Sequence, residues 1–175
     1  MDSASQQQRI VVGINGSLNS LVALRRAGTE ARLTGRRLLA VMVWRPYDTD
    51  PPVGTGRSPL KGTRTAAIRL LKDILNDVFA ASDDGVPIGG LVISGNAGRT
   101  LVQIANKETD LLVVGSWHHK RLRRRRSPVA RYCLTHATCP VLAVPPTPLQ
   151  LDLEALTRKK RLLRTMAHDV GRLSA

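Results

Sequence analysis

The densest chemical signal in the chain is a cationic run, His118-His-Lys-Arg-Leu-Arg-Arg-Arg-Arg126. Lys120, Arg121, Arg123, Arg124, Arg125 and Arg126 bring guanidinium and ammonium groups together on one short segment. Guanidinium binds phosphate oxygens in bidentate fashion. The run therefore suits a small anion such as a nucleotide, or the backbone of a nucleic acid. A solvated basic loop without a ligand is the third reading, and the residues leave all three open. Aromatic residues are only 3% of the chain, which argues against recognition of single strands by base stacking. A phosphate-backbone contact would need no aromatics and would be very sensitive to salt.

Other reactive side chains are sparse. His118 and His119 could share a metal, but no acidic or cysteine partner lies near them, and two ordinary loop histidines are expected. Trp117 beside Ser116 either caps a ligand or packs at the loop base. Cys133 and Cys139 form neither a CxxC pair nor part of a zinc set, so reduced thiols in or near the core are expected. Glu108 and Asp110 flank a strand start, where a surface role is expected. There is no Gly-x-Ser-x-Gly elbow and no full G-x-G-x-x-G after a strand. A binding protein is expected rather than an enzyme.

The elements that must position these groups follow from hydrophobic period and punctuation. Arg9–Ile14 is a β-branched run that breaks into Asn15-Gly-Ser-Leu-Asn-Ser20, a set of turn and cap residues. Leu21 to Leu33 has helical spacing and stops at Gly35. Leu38 to Trp44 is a second strand. Residues 45–62 hold many Pro and Gly and form a long loop. Ala66 to Phe79 is helical, Leu91 to Ser94 a short strand, Gly95–Thr100 a turn, and Leu101 to Ala105 a helix. Asp110 to Gly115 is a buried strand, Val129 to Thr135 a helix, and Pro140 to Val144 the last strand.

This β-α alternation predicts an α/β fold: an open five-stranded parallel sheet with helices on both faces. Ligands of such sheets bind at the carboxyl ends of the strands where strand order reverses. The turn-rich segments Asn15–Ser20 and Ser116–Pro128 belong there.

The 175 residues suit one domain with an appendage. Residues 1–8 read as a disordered start, 9–145 as the domain, and 146–175 as a proline linker followed by a basic amphipathic helix. In that C-terminal helical extension Leu149, Leu153, Leu156, Leu163 and Val170 follow a seven-residue rhythm. Docking on its own domain, pairing with another chain, and a role at a nucleic acid or membrane surface stay open for it. Hydrophobic residues make up 42% of the chain, enough for a real core. No apolar run is long enough to span a membrane, and the polar start lacks the stretch of a secretion signal, so a cytoplasmic location is expected. The net charge of +14 and pI of about 11.3 point to anionic partners. Seven of the 27 basic residues fall in 120–131 and six more in the tail.

Three blocks carry a resemblance. Ile10-Val-Val-Gly-Ile-Asn-Gly-Ser17 is similar to a first strand and turn that reads VGxDGS. Asp110-Leu-Leu-Val-Val-Gly-Ser116 is similar to a fourth strand, and His136-Ala-Thr-Cys-Pro-Val-Leu-Ala-Val144 to an ending that reads HAPCPVLVV. Together, over about residues 8–145, they resemble the universal stress protein family. The resemblance implies a five-stranded parallel sheet and a homodimer, through the last strand or here the C-terminal helix. In one branch it implies ATP held without a chemical step by a loop G-x2-G-x9-G-[S/T], whose backbone N–H groups face phosphate. Carried over, Gly13, Asn15, Val43, Gly115, Ser116, His118, Ser127 and Val129 would line the nucleotide pocket. Only Gly115 of the loop glycines is kept. His118 replaces the second, Ser127 stands near the third, and Pro128 removes a backbone donor. Asn15 takes the place of an Asp. Ser17 and Ser20 occupy positions similar to the phosphate loop SGGxDS of ATP-cleaving ligases, without its paired glycines or Asp. The expectation is thus a non-catalytic stress-response binding or signalling protein with a degenerate ATP loop. The alternatives are ATP or another nucleotide or anion held by the arginine-rich run, and nucleic acid or a partner protein bound by it.

Overall fold

Among the described residues five short strands alternate with four helices: β1 Arg9–Ile14, α1 Leu18–Thr34, β2 Arg37–Trp44, α2 Arg64–Phe79, β3 Ile88–Ser94, α3 Ala97–Ile104, β4 Leu111–Gly115, α4 Pro128–His136 and β5 Val141–Val144. The computed structural model describes residues 8–45, 63–80, 85–116 and 127–148. Residues through Pro145 form one compact unit; a second begins at Pro146, and only 146–148 of it are described. The cationic run, the Pro- and Gly-rich stretch from 46 to 62 and the expected C-terminal helix lie outside the described residues.

All strand pairs are parallel, in the order β3-β2-β1-β4-β5. β1 is central, so its side chains are buried on both faces, which is why its sequence is a continuous apolar run rather than an alternating one. Ile10, Val12 and Ile14 face a core shared with Leu24 and Ala27 of α1 and Leu71 and Ile74 of α2. Val11 faces a second core with Val41, Leu112, Leu101 of α3 and Cys133 of α4. Helices thus cover both faces, as the alternation predicted. α1 lies close to the sheet through the small residues Ala23, Ala27, Gly28 and Ala31, and Gly28 leaves room for the Phe79 ring of α2.

Each helix starts on a hydroxyl or amide cap: Ser17, Thr63, Asn96 and Ser127 accept from the backbone N–H three residues on, each worth about 1 kcal/mol. Such caps explain two boundary differences. α3 begins at Ala97, four residues before the expected Leu101, because Asn96 Oδ1 accepts from Arg99 N and Gly98 lets Tyr132 of α4 pack against the first turn. β3 begins at Ile88 rather than Leu91, because Gly89 and Gly90, a poor strand signal, still pair in register with Leu39 and Ala40 of β2, and Gly90 lies close under Leu71.

One expectation is overturned. Asp110 is not a surface residue: its side chain is fully buried and pairs with Arg9 in β1, at 3.0 Å from Arg9 Nε. Arg9 Nη2 also donates to the other carboxylate oxygen, at 3.1 Å, and to Ile104 O. The pair stitches the amino ends of β1 and β4 across 101 residues, a separation that no local pattern reports.

Candidate functional site

Strand order reverses between β1 and β4, so the carboxyl ends of these two strands open the crevice expected to bind a ligand. On the β1 side, the turn into α1 needs a left-handed residue, supplied by Gly16 at φ 75°. Asn15 Oδ1 accepts from both Ser17 N, at 3.1 Å, and Ser17 Oγ, at 2.7 Å. Ser17 Oγ accepts from Ser20 N, and Ser20 Oγ accepts from Asn15 N while donating to Ser17 O. Ser17 and Ser20, alike in position to a phosphate loop, are thereby spent on closing the turn.

On the β4 side, Ser116 is buried and donates its N–H to Val144 O at 2.7 Å, joining the ends of β4 and β5. Its carbonyl accepts from Asn19 Nδ2 at 2.8 Å. Gly115 is glycine for a packing reason: a Cβ there would lie 2.9 Å from Asn19 O, in the first turn of α1. Asn19 therefore ties the two sides of the crevice together, and among the described residues its buried Oδ1 has no hydrogen-bond partner. Sequence reasoning did not single out Asn19; its place as the second residue after a cap carries no signal that it faces a strand almost a hundred residues away.

The third wall is the start of α4. Ser127 caps the helix through its side chain, and Pro128 at the first helical position has no N–H to offer. Ser127 Oγ accepts from Ala130 N at 3.5 Å and Ser127 O from Arg131 N at 2.9 Å. Of the remaining expected residues, Val43 is buried in β2, and Val129 is half-buried against the same core as Val43. Gly13 lies mid-strand under Leu101, whose Cδ1 is 2.8 Å from the position of a Cβ. The structure thus gathers Asn15, Gly115, Ser116 and Ser127 at the ends of β1, β4 and α4, and sets Gly13 under α3. His118, Lys120, Arg121, Arg123, Arg124, Arg125 and Arg126 lie outside the described residues.

A second group stands at the ends of β2 and β3. Gly95 N donates to Trp44 O, and Arg45 Nε donates to Gly95 O at 3.4 Å. Gly95, at φ 151°, leaves space beside Thr100 Oγ1. Arg45 too was not anticipated; it sat at the start of a segment read only as loop. Away from this edge, Cys133 and Cys139 are both buried and unbridged, as expected. Burial pushes the Cys133 thiol up to about 11, with neighbouring Cys139 adding to the rise, so neither behaves as an activated nucleophile. Among the described residues no group of three or more His, Cys, Asp and Glu is arranged to hold a metal, and no helix is long and apolar enough to cross a membrane.

The sequence profile of the universal stress protein family matches residues 7–145. The chain belongs to the universal stress protein family. No curated protein matches the sequence. Among solved structures, a universal stress protein family member from Burkholderia pseudomallei is 28% identical, with a TM-score of 0.54 over 81% of this chain and 98% of that one. A universal stress protein in complex with cAMP is 24% identical, TM-score 0.54, over 78% and 95%. A member from Arabidopsis thaliana with AMP bound is 16% identical, TM-score 0.51, over 82% and 94%. These likenesses cover the sheet and its helices. In this universal stress protein the neighbour of Gly115 is α1 backbone.

Proposed function

We propose that this universal stress protein is a non-catalytic stress-response binding protein that has given up the family's triphosphate cradle. The observation that carries this reading is where the backbone donors around the crevice go. At the α1 start, the N–H groups of Ser17 and Ser20 are used by Asn15 and Ser17 side chains. At the α4 start, Pro128 has none and Ala130 N turns to Ser127 Oγ. Each helix start thus commits part of its set of four orphan N–H groups to its own cap, which leaves fewer for phosphate. Titration of the full chain with ATP in a calorimeter should give no saturable heat and no thermal shift up to millimolar ligand. Saturable binding in the micromolar range would overturn the reading.

A second reading, an adenine mononucleotide without turnover, is favoured by Asn19. Its Oδ1 is a buried acceptor at the crevice with no partner among the described residues, and leaving such an atom unpaired costs about 1–3 kcal/mol. A ribose hydroxyl or an adenine amine would supply the missing donor, and two solved relatives carry cAMP and AMP. The eight residues inferred from the family and the six cations of the run are its proposed contacts, with the cations meeting the anionic end.

The same reading includes a cytoplasmic location and a homodimer through β5. β5 is an edge strand whose Val141, Leu142 and Ala143 are only partly buried. Pro140 O and Val144 O accept from β4, so by alternation the N–H groups of Val141 and Ala143 point away from the sheet. Ala143→Pro removes one of those outward donors and should convert the dimer to a folded monomer in native mass spectrometry. A dimer that persists in this variant would show that β5 pairing is not the interface.

A further inference from the structure

The carboxyl edge carries cations at positions where helix stability argues against them. Arg64 is the first residue of α2, and Arg99 the third of α3. Both are exposed, and among the described residues neither is in an ion pair. A positive charge in a first turn opposes the helix dipole, and acidic residues are the usual occupants there. None of the four helices has an acidic residue in its first turn. The described carboxylates sit elsewhere: Glu30, Asp73 and Asp77 in later turns of α1 and α2, Glu108 and Asp110 just before β4 at the amino edge. The described carboxylates are therefore kept off the carboxyl edge, whereas cations stand at both ends, Arg9, Arg37 and Lys107 among them at the amino edge.

We propose that Arg45, Arg64 and Arg99 form a docking surface for the phosphate backbone of duplex nucleic acid, separate from the β1–β4 crevice. Arg45 is fastened at the ends of β2 and β3 by its bond to Gly95 O. α2 and α3 pack on opposite faces of the sheet, so Arg64 and Arg99 are separated by its thickness. No single phosphate reaches both, whereas an extended polyanion laid across the edge reaches all three. The exposed neighbours Thr63, Thr65 and Asn96 are polar, which suits a hydrated phosphate backbone. With 3% aromatic residues, duplex backbone rather than stacked single strand is the fitting form.

The test uses the full chain and a short fluorescent duplex DNA, followed by anisotropy over a salt series. Arg64→Ala/Arg99→Ala is compared with Arg25→Ala/Lys72→Ala, an equal charge change at exposed mid-helix positions. The edge variant should lose about tenfold in affinity, with its log–log salt slope falling by about 2. The control pair should stay near the unsubstituted protein. The edge variant should also melt at the same or a higher temperature, since two charges opposing helix dipoles are gone. Equal losses in both pairs, an unchanged slope in the edge variant, or a loss confined to anionic phosphatidylserine vesicles would each overturn the proposal.

Discussion

Replacing Arg9 by methionine is expected to cost about 3 kcal/mol of folding stability, the low end of the range for breaking a buried ion pair. The low end applies because Arg9 is itself 29% exposed and water screens part of the attraction. The partner has no such relief. Asp110 has a fully buried carboxylate that receives two N–H groups from Arg9 and one, at 3.3 Å, from Lys107 N. Methionine keeps most of the aliphatic stem but leaves the carboxylate with the backbone donor alone. The guanidinium's bonds to Ile104 O and Asn106 Oδ1 vanish as well, loosening the turn that delivers β4 to β1. Urea unfolding of the single variant measures the loss. Arg9→Met/Asp110→Leu should recover much of it, because two apolar groups leave nothing unpaired. A single variant within about 1 kcal/mol of the parent would mean that the pair is solvated in a way its burial denies.

Gly115→Ala carries the second large effect, about 1–3 kcal/mol. The added methyl would sit 2.9 Å from Asn19 O and 3.1 Å from its carbonyl carbon. Both are backbone atoms in the first turn of α1, so the relief available is a shift of the helix as a whole. Such a shift would stretch the 2.8 Å bond from Asn19 Nδ2 to Ser116 O and open the crevice. Gly13→Ala is the informative contrast. There the intruding atom is Leu101 Cδ1, the end of a side chain that can change rotamer, and a smaller loss is expected. Denaturation without nucleotide should rank Gly115→Ala well below Gly13→Ala. The reverse ranking would return Gly115 to the role of a phosphate-facing residue that packing leaves free.

Much of the fold was legible because buried parallel strands leave a local mark. Ile10-Val-Val, Leu38-Leu-Ala-Val and Leu111-Leu-Val-Val read as strands without any knowledge of their neighbours, since each is covered on both faces. Cap residues such as Ser17 were equally visible. β3 was read short because Gly89 and Gly90 weaken a strand pattern, and only at Gly90 is a neighbour tight, where a Cβ would lie 3.2 Å from Leu71 Cδ2. The start of α3 was read late because Asn-Ala-Gly looks like turn chemistry until Tyr132 is seen packed on Gly98. At the β1–β4 crevice, the resemblance pointed to Asn15, Gly115 and Ser116, whereas no local signal pointed to Asn19 or, at the β2–β3 end, to Arg45.

The sequence alone determined the order of elements and the parallel α/β architecture. Those depend on period, capping and turn residues, which act over a few positions. Tertiary structure decided what individual polar residues are for. It turned Asp110 from a surface acid into the buried partner of Arg9, turned Gly115 into a seat for α1, and spent Ser17 and Ser20 on their own turn. Each of these rests on which atoms lie within about 3 Å, and that is settled only when strands distant in sequence come to lie side by side.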